Sequence, residues 1–186
     1  PKTFDDVLET SKIAMQQALI ELWHTYPFTF KKVTRYQVLP AYESAIEAPM
    51  GTLTAVCLEN GRVLEQVETF GDMDDSETPV YGTPECYRLV QNNTGDKIEF
   101  YPTPLEPVTI GISYDTACMA RDKSGTERVN LSAQNDTINI NGAVQRELFE
   151  NALILLTEVY LIQDSSDENY IPYFEAYQRA LRLLIN

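Results

Sequence analysis

The stretch Ala18-Leu-Ile-Glu-Leu-Trp-His-Thr-Tyr-Pro-Phe-Thr-Phe-Lys-Lys-Val-Thr-Arg-Tyr-Gln-Val38 decides the fold, because the spacing of its apolar residues changes period within it. Upstream, Leu8, Met15, Leu19 and Leu22 fall on one helical face with Ala14, Ala18 and Trp23 beside them, which predicts a first helix from about Asp5 to Tyr26. Pro27 ends it: proline has no backbone donor and pushes the residue before it out of helical geometry. Beyond the proline, Phe28, Phe30 and the run Val33 to Val38 are aromatic and β-branched, the composition of strands.

Working outward, Thr52 to Glu59 and Arg62 to Val67 flank Asn60-Gly61, which predicts a hairpin with a type I′ turn and positive φ at both turn residues. Cys86 to Gln91 and Lys97 to Tyr101 are separated by the turn formers Asn92 to Asp96, so a second hairpin is expected, with Ile98 and Phe100 on one face. Val108, Ile110, Ile112 and Tyr114 alternate with Thr109, Gly111 and Ser113, as on a strand with one face against the core. Gly71 to Pro84 and Asp115 to Asp136 lack periodicity and read as long loops.

Helical spacing returns after Asn141-Gly142. Val144, Leu148, Leu155, Val159 and Ile162 mark a stripe that Phe149, Leu153, Leu156 and Tyr160 widen, so this helix is expected to be buried on more than one side. The polar run Asp164 to Asn169 then offers caps for a third helix from about Tyr170 to Ile185. The class is α+β. An N-terminal helix and a C-terminal helical hairpin form a helical bundle (1–28 and 141–186), with an antiparallel β part inserted (29–140), the whole making one domain.

Composition removes several function classes. Lys and Arg total 14 against 28 Asp and Glu, and a net charge of −14 repels phosphate backbones. The strongly apolar stretch near Ala152 to Ile162 is too short for a helix of roughly 20 residues to cross a bilayer. Asp5, Asp6 and Glu9 stand where a secretory leader would carry a basic end. Cys57, Cys86 and Cys118 form no CxxC pair and read as buried thiols rather than as disulfides or zinc ligands.

Chemistry is sparse. His24 is the only histidine; it lies at a helix end, outside any nucleophile motif, and reads as structural. Asp72, Asp74, Asp75 and Glu77 lack the spacing of a calcium loop and read as solvated acids. Scattered glycines form neither a P-loop nor a dinucleotide fingerprint. No catalytic residue, cofactor site or metal site is expected, so the chain reads as a non-enzyme. The candidate surface is a protein interface on the C-terminal helices: Tyr160, Tyr170, Tyr173, Phe174, Tyr177 and Leu181, since aromatics favour interface centres.

The segment Ala18 to Phe30 resembles the opening of tailed-bacteriophage head-to-tail adaptor (connector) proteins, in which a helix ends in a tryptophan and a proline-aromatic step. Gly82-Thr-Pro-Glu-Cys-Tyr-Arg-Leu89, Gly95-Asp-Lys-Ile-Glu-Phe-Tyr-Pro-Thr-Pro104 and Val108-Thr-Ile-Gly-Ile-Ser-Tyr-Asp-Thr116 look like the β-insert of that family. Leu148 to Leu161, a short acidic gap and Tyr170-Ile-Pro-Tyr-Phe-Glu-Ala-Tyr177 look like its helical ending. The likeness spans most of the chain, outside Gly71 to Val80 and Cys118 to Ala133. It implies a structural subunit in the virion neck, assembled in the host cytoplasm as a ring, usually twelve-fold, beneath the portal protein. Such a ring joins the portal to tail or nozzle proteins, and genome DNA passes through it without sequence-specific binding. The family carries no catalytic residues. The net negative charge suits a conduit along which phosphates should slide. The rival expectation is a tail or baseplate module whose β-part loops bind a carbohydrate or protein.

Overall fold

Asp5 and Asp6 place negative charge on the N-terminal end of the first helix, where the helix dipole favours it. The structure is a computed structural model that describes residues 4–71, 79–91, 95–131, 136–162 and 167–185. Its helices are α1 (Phe4–Thr25), α2 (Ala143–Ile162) and α3 (Tyr170–Ile185). Among the described residues ten strands lie between α1 and α2, and the architecture is α+β.

The chain folds as two units. One comprises Pro1–Lys31 and Cys118–Asn186, the other Lys32–Ala117. In the helical unit, α2 packs on both α1 and α3, which accounts for its broad apolar face. Phe149 of α2 is the hub. Trp23 meets it edge-on at 5.9 Å between ring centroids, and Phe28 and Phe30, stacked on each other at 4.8 Å, each meet it edge-on at 5.8 Å. After Pro27 the chain makes a short 3₁₀ turn (Thr29–Lys31), and the Lys31 ammonium donates to the carbonyls of Trp23 (2.7 Å) and Tyr26 (2.9 Å). The Trp23 carbonyl lies in the last turn of α1 and would need a donor at Pro27, so Lys31 satisfies an acceptor that the helix itself leaves open. Phe28 and Phe30 thus have strand-like composition but serve the helical core.

Here the domain boundaries differ from those expected. The segment 118–140 belongs to the helical unit, because Met119, Ile138 and Ile140 join the helical core. The expected loop in this stretch holds a small sheet of β8 (Ala120–Arg121), β9 (Glu127–Arg128) and β10 (Thr137–Ile138), in the order β10-β8-β9. Its tight turn is held by Asp122, whose carboxylate accepts from the Ser124 hydroxyl and amide and the Thr126 amide and pairs with Arg128 at 3.0 Å. The Ser124 hydroxyl and then Arg128 hold that carboxyl well below the usual range.

In the β unit, β7 (Val108–Thr116) is the centre of a three-stranded antiparallel sheet between β1 (Lys32–Leu39) and β3 (Gly51–Leu58). Its register with β1 runs from Lys32 opposite Asp115 to Leu39 opposite Val108. The second sheet has the order β2 (Ala45–Glu47), β6 (Lys97–Tyr101), β5 (Cys86–Val90) and β4 (Glu65–Gln66). Leu39, Val56, Ile110 and Ile112 of the first sheet share one core with Ile46, Tyr87, Ile98 and Phe100 of the second. On the outer face of β7, Gly111 lets the Tyr36 ring lie across the strand. A Cβ there would come within 2.8 Å of Cys57 Sγ and 3.1 Å of that ring.

The β5–β6 hairpin forms as expected, although Asn92 to Thr94 of its turn lie outside the described residues. The Asn60-Gly61 reversal is present, but the type I′ assignment fails. Gly61 has a φ of 83°, while Tyr42 is the sole non-glycine at positive φ among the described residues, so Asn60 is not left-handed. Gly61 N–H donates to Leu58 O (2.9 Å) and Leu58 N–H to Arg62 O (2.9 Å). These bonds define a three-residue loop with a type I turn and a left-handed glycine closing the bulge. The hairpin also ends early: Val63 bridges Cys57, the buried Leu64 turns into the core, and Glu65–Gln66 cross to pair in parallel with β5.

Candidate docking surfaces

The six candidate interface residues, Tyr160 on α2 and the other five on α3, differ in burial. Tyr177 and Leu181, with Ala180, face inward and are buried in the helical core, so they are not available as a surface while α3 is packed. Burial pushes the Tyr177 hydroxyl above the ordinary tyrosine range, and the neighbouring Tyr26 adds to this. Tyr160 is half-buried, and its hydroxyl donates to the Glu21 carboxylate of α1. That bond and partial burial push its pKa up to about 12.

One turn earlier, α3 is uncovered. Tyr170 and Phe174 stack at 5.9 Å with an interplanar angle of 8°. Tyr173 and Phe174 remain 38% and 40% exposed, and Ile171, which composition did not single out, is 61% exposed. Asp167 shapes the start of this helix: its side chain accepts from the Asn169 amide (2.8 Å) and its carbonyl from the Tyr170 amide (3.0 Å). The remainder of the expected cap, 163–166, lies outside the described residues. Helix α1 behaves similarly. Leu8 and Met15 share the face of the buried Leu19 and Leu22, yet they are 44% and 38% exposed. Both helices therefore carry core-facing stripes beyond the packed core of their own unit.

The sparse chemistry takes these positions. His24 is exposed in the last turn of α1. Cys118 is buried, and Cys57 and Cys86 are half-buried free thiols. Burial first, and then Glu65 and Glu85, raise the Cys86 thiol, which disfavours the nucleophilic thiolate. Asp72, Asp74, Asp75 and Glu77 lie outside the described residues. Among the described residues no three His, Cys, Asp or Glu side chains gather as a metal site, and no helix is long and apolar enough to cross a membrane. Charge is uneven: the β unit carries five Lys or Arg against fourteen Asp or Glu, a net −9 of the −14 total.

No family model matches the chain, and a search of curated proteins finds no match.

Proposed function

We propose that the chain is a structural subunit of a phage head-to-tail connector. In this reading it forms a ring under the portal protein, joins it to tail or nozzle proteins and leaves a channel for DNA. The observation that carries the reading is the way the helical unit is built. Both ends of the sequence close into one helical core, with Trp23, Phe28 and Phe30 from the first part around Phe149 from the last. The β unit is inserted between residues 31 and 118, the order in which the sequence resembles the adaptor family. Two further features support assembly. Core-facing residues are left uncovered on α1 and at the start of α3, which suits packing against neighbouring subunits or a portal. An acidic β unit suits a lining that repels nucleic-acid phosphates.

Co-sedimentation of the full chain with the portal protein of its phage tests the reading. Wild type should sediment with the portal, and Phe174→Glu, which places a charge on the exposed start of α3, should sediment at least about tenfold less well. A wild-type chain that ignores the portal would sink the proposal.

A further inference from the structure

The β unit has a strained corner whose side chain the core does not need. Pro40 to Glu43 form a turn in which Glu43 N–H donates to Pro40 O (3.3 Å), and Tyr42 occupies its third position at a φ of 63°. Glycine or asparagine is at ease there, whereas a bulky side chain at positive φ is an outlier. Tyr42 is nonetheless 67% exposed, so burial does not explain its presence. Backbone strain of this kind persists where surrounding structure holds it, and it concentrates at binding surfaces.

The surrounding structure is well tied. Tyr42 N–H donates to Pro104 O (2.8 Å), Thr103 N–H to Val80 O (3.0 Å) and Gly82 N–H to Thr103 O (2.8 Å). These bonds lock three segments together and bring Tyr42 against Tyr81, which is 46% exposed. The two rings stand 5.8 Å apart at 79°, making an open corner with one ring as floor and the other as wall. Glu43 follows in the turn, exposed and without an ion-pair partner among the described residues.

From this geometry we infer that the Tyr42–Tyr81 corner binds the guanidinium or ammonium group of a basic segment on a partner protein. Aromatic faces attract cations through the ring quadrupole, and two perpendicular rings give such a group two aromatic contacts. Electrostatics select the occupant: a unit with a net charge of −9 repels nucleic acid and draws in a basic polypeptide. The inference goes beyond the connector reading, since it depends on the β unit alone and names the chemistry that a partner must present.

The test is a titration of the full-length chain, with ¹³C-labelled tyrosine rings, by arginine amide at low salt, followed by NMR. Citrulline amide, of the same shape but uncharged, and methyl glucoside serve as comparison ligands. The expected result is a saturable shift of Tyr42 and Tyr81 together, with citrulline amide at least about threefold weaker. Tyr36, which is 66% exposed but lies elsewhere on the unit, should not move. Tyr42→Asn, which suits the left-handed backbone, should abolish the Tyr81 shift while leaving the thermal midpoint at or above wild type. Equal shifts from citrulline amide, an equal response at Tyr36, or saturation by methyl glucoside but not by arginine amide would each overturn the inference. The last result would mark the corner as a sugar site. Because no portal enters the titration, failure here leaves the connector reading standing, and failure of portal co-sedimentation leaves this result standing.

Discussion

Replacing Phe149 with alanine removes the ring against which Trp23, Phe28 and Phe30 all pack edge-on, at a position with no solvent exposure. Large-to-small changes of this type cost about 3–5 kcal/mol, and the lost edge-to-face contacts push the value to the upper end of that range. Against a total stability of roughly 5–15 kcal/mol for a domain, the loss is severe but leaves a folded population. For a unit of about a hundred residues it corresponds to a fall in midpoint of roughly 15 °C or more. The chain has one tryptophan, Trp23, buried 5.9 Å from Phe149, so its fluorescence reports the melting of the helical unit. Hydrogen exchange at the β7 amides reports the other core. The expected outcome is an early fluorescence transition with β7 protection retained at temperatures below it. A fluorescence midpoint within about 5 °C of wild type would refute Phe149 as the hub. Parallel loss of β7 protection would refute the account of two separate cores.

Further predictions follow from the same contacts. Leu181→Ala should destabilise the helical unit by about 2–4 kcal/mol in urea unfolding, whereas Phe174→Ala should cost about 1 kcal/mol or less, because one lies in the core and the other at the surface. Gly61→Val should cost about 1 kcal/mol or more through its positive φ, and Asn60→Gly should bring no gain, since only the glycine position is left-handed. Alkaline pH should destabilise the helical unit. Tyr160 and Tyr177 have folded-state pKa values raised above the ordinary 10, so their contribution is intact below pH 10 and is lost as pH rises through the folded values, that of Tyr160 being about 12. A double Tyr160→Phe, Tyr177→Phe variant should show a flatter fluorescence-detected midpoint between pH 10 and 12.

The legible parts of the fold are those with a period. Leu19 and Leu22 repeat at helical spacing and Pro27 marks their end, while Ile110, Ile112 and Tyr114 alternate along β7; both patterns express which face meets a core. Elements held together by side chains rather than by a repeat were not legible. The strands β8, β9 and β10 have two residues each and depend on the Asp122 turn, so no alternation announces them. Phe28 and Phe30 look like strand residues, and their role in the helical core depends on Phe149, more than a hundred positions away. The same limit governs the candidate surface. Tyr173, Phe174, Tyr177 and Leu181 are alike in composition, and only the reach of the packed core separates the exposed pair from the buried pair. Tyr42 carries no sequence mark at all, because its interest lies in a backbone angle.

Assembly is the central claim of the proposed connector reading, and negative-stain electron microscopy of the full chain mixed with a candidate phage portal protein tests it most directly. The account predicts an added ring of density on one face of the portal, present with wild type and lost with Phe174→Glu. Bare portals together with a strictly monomeric wild-type chain would contradict it.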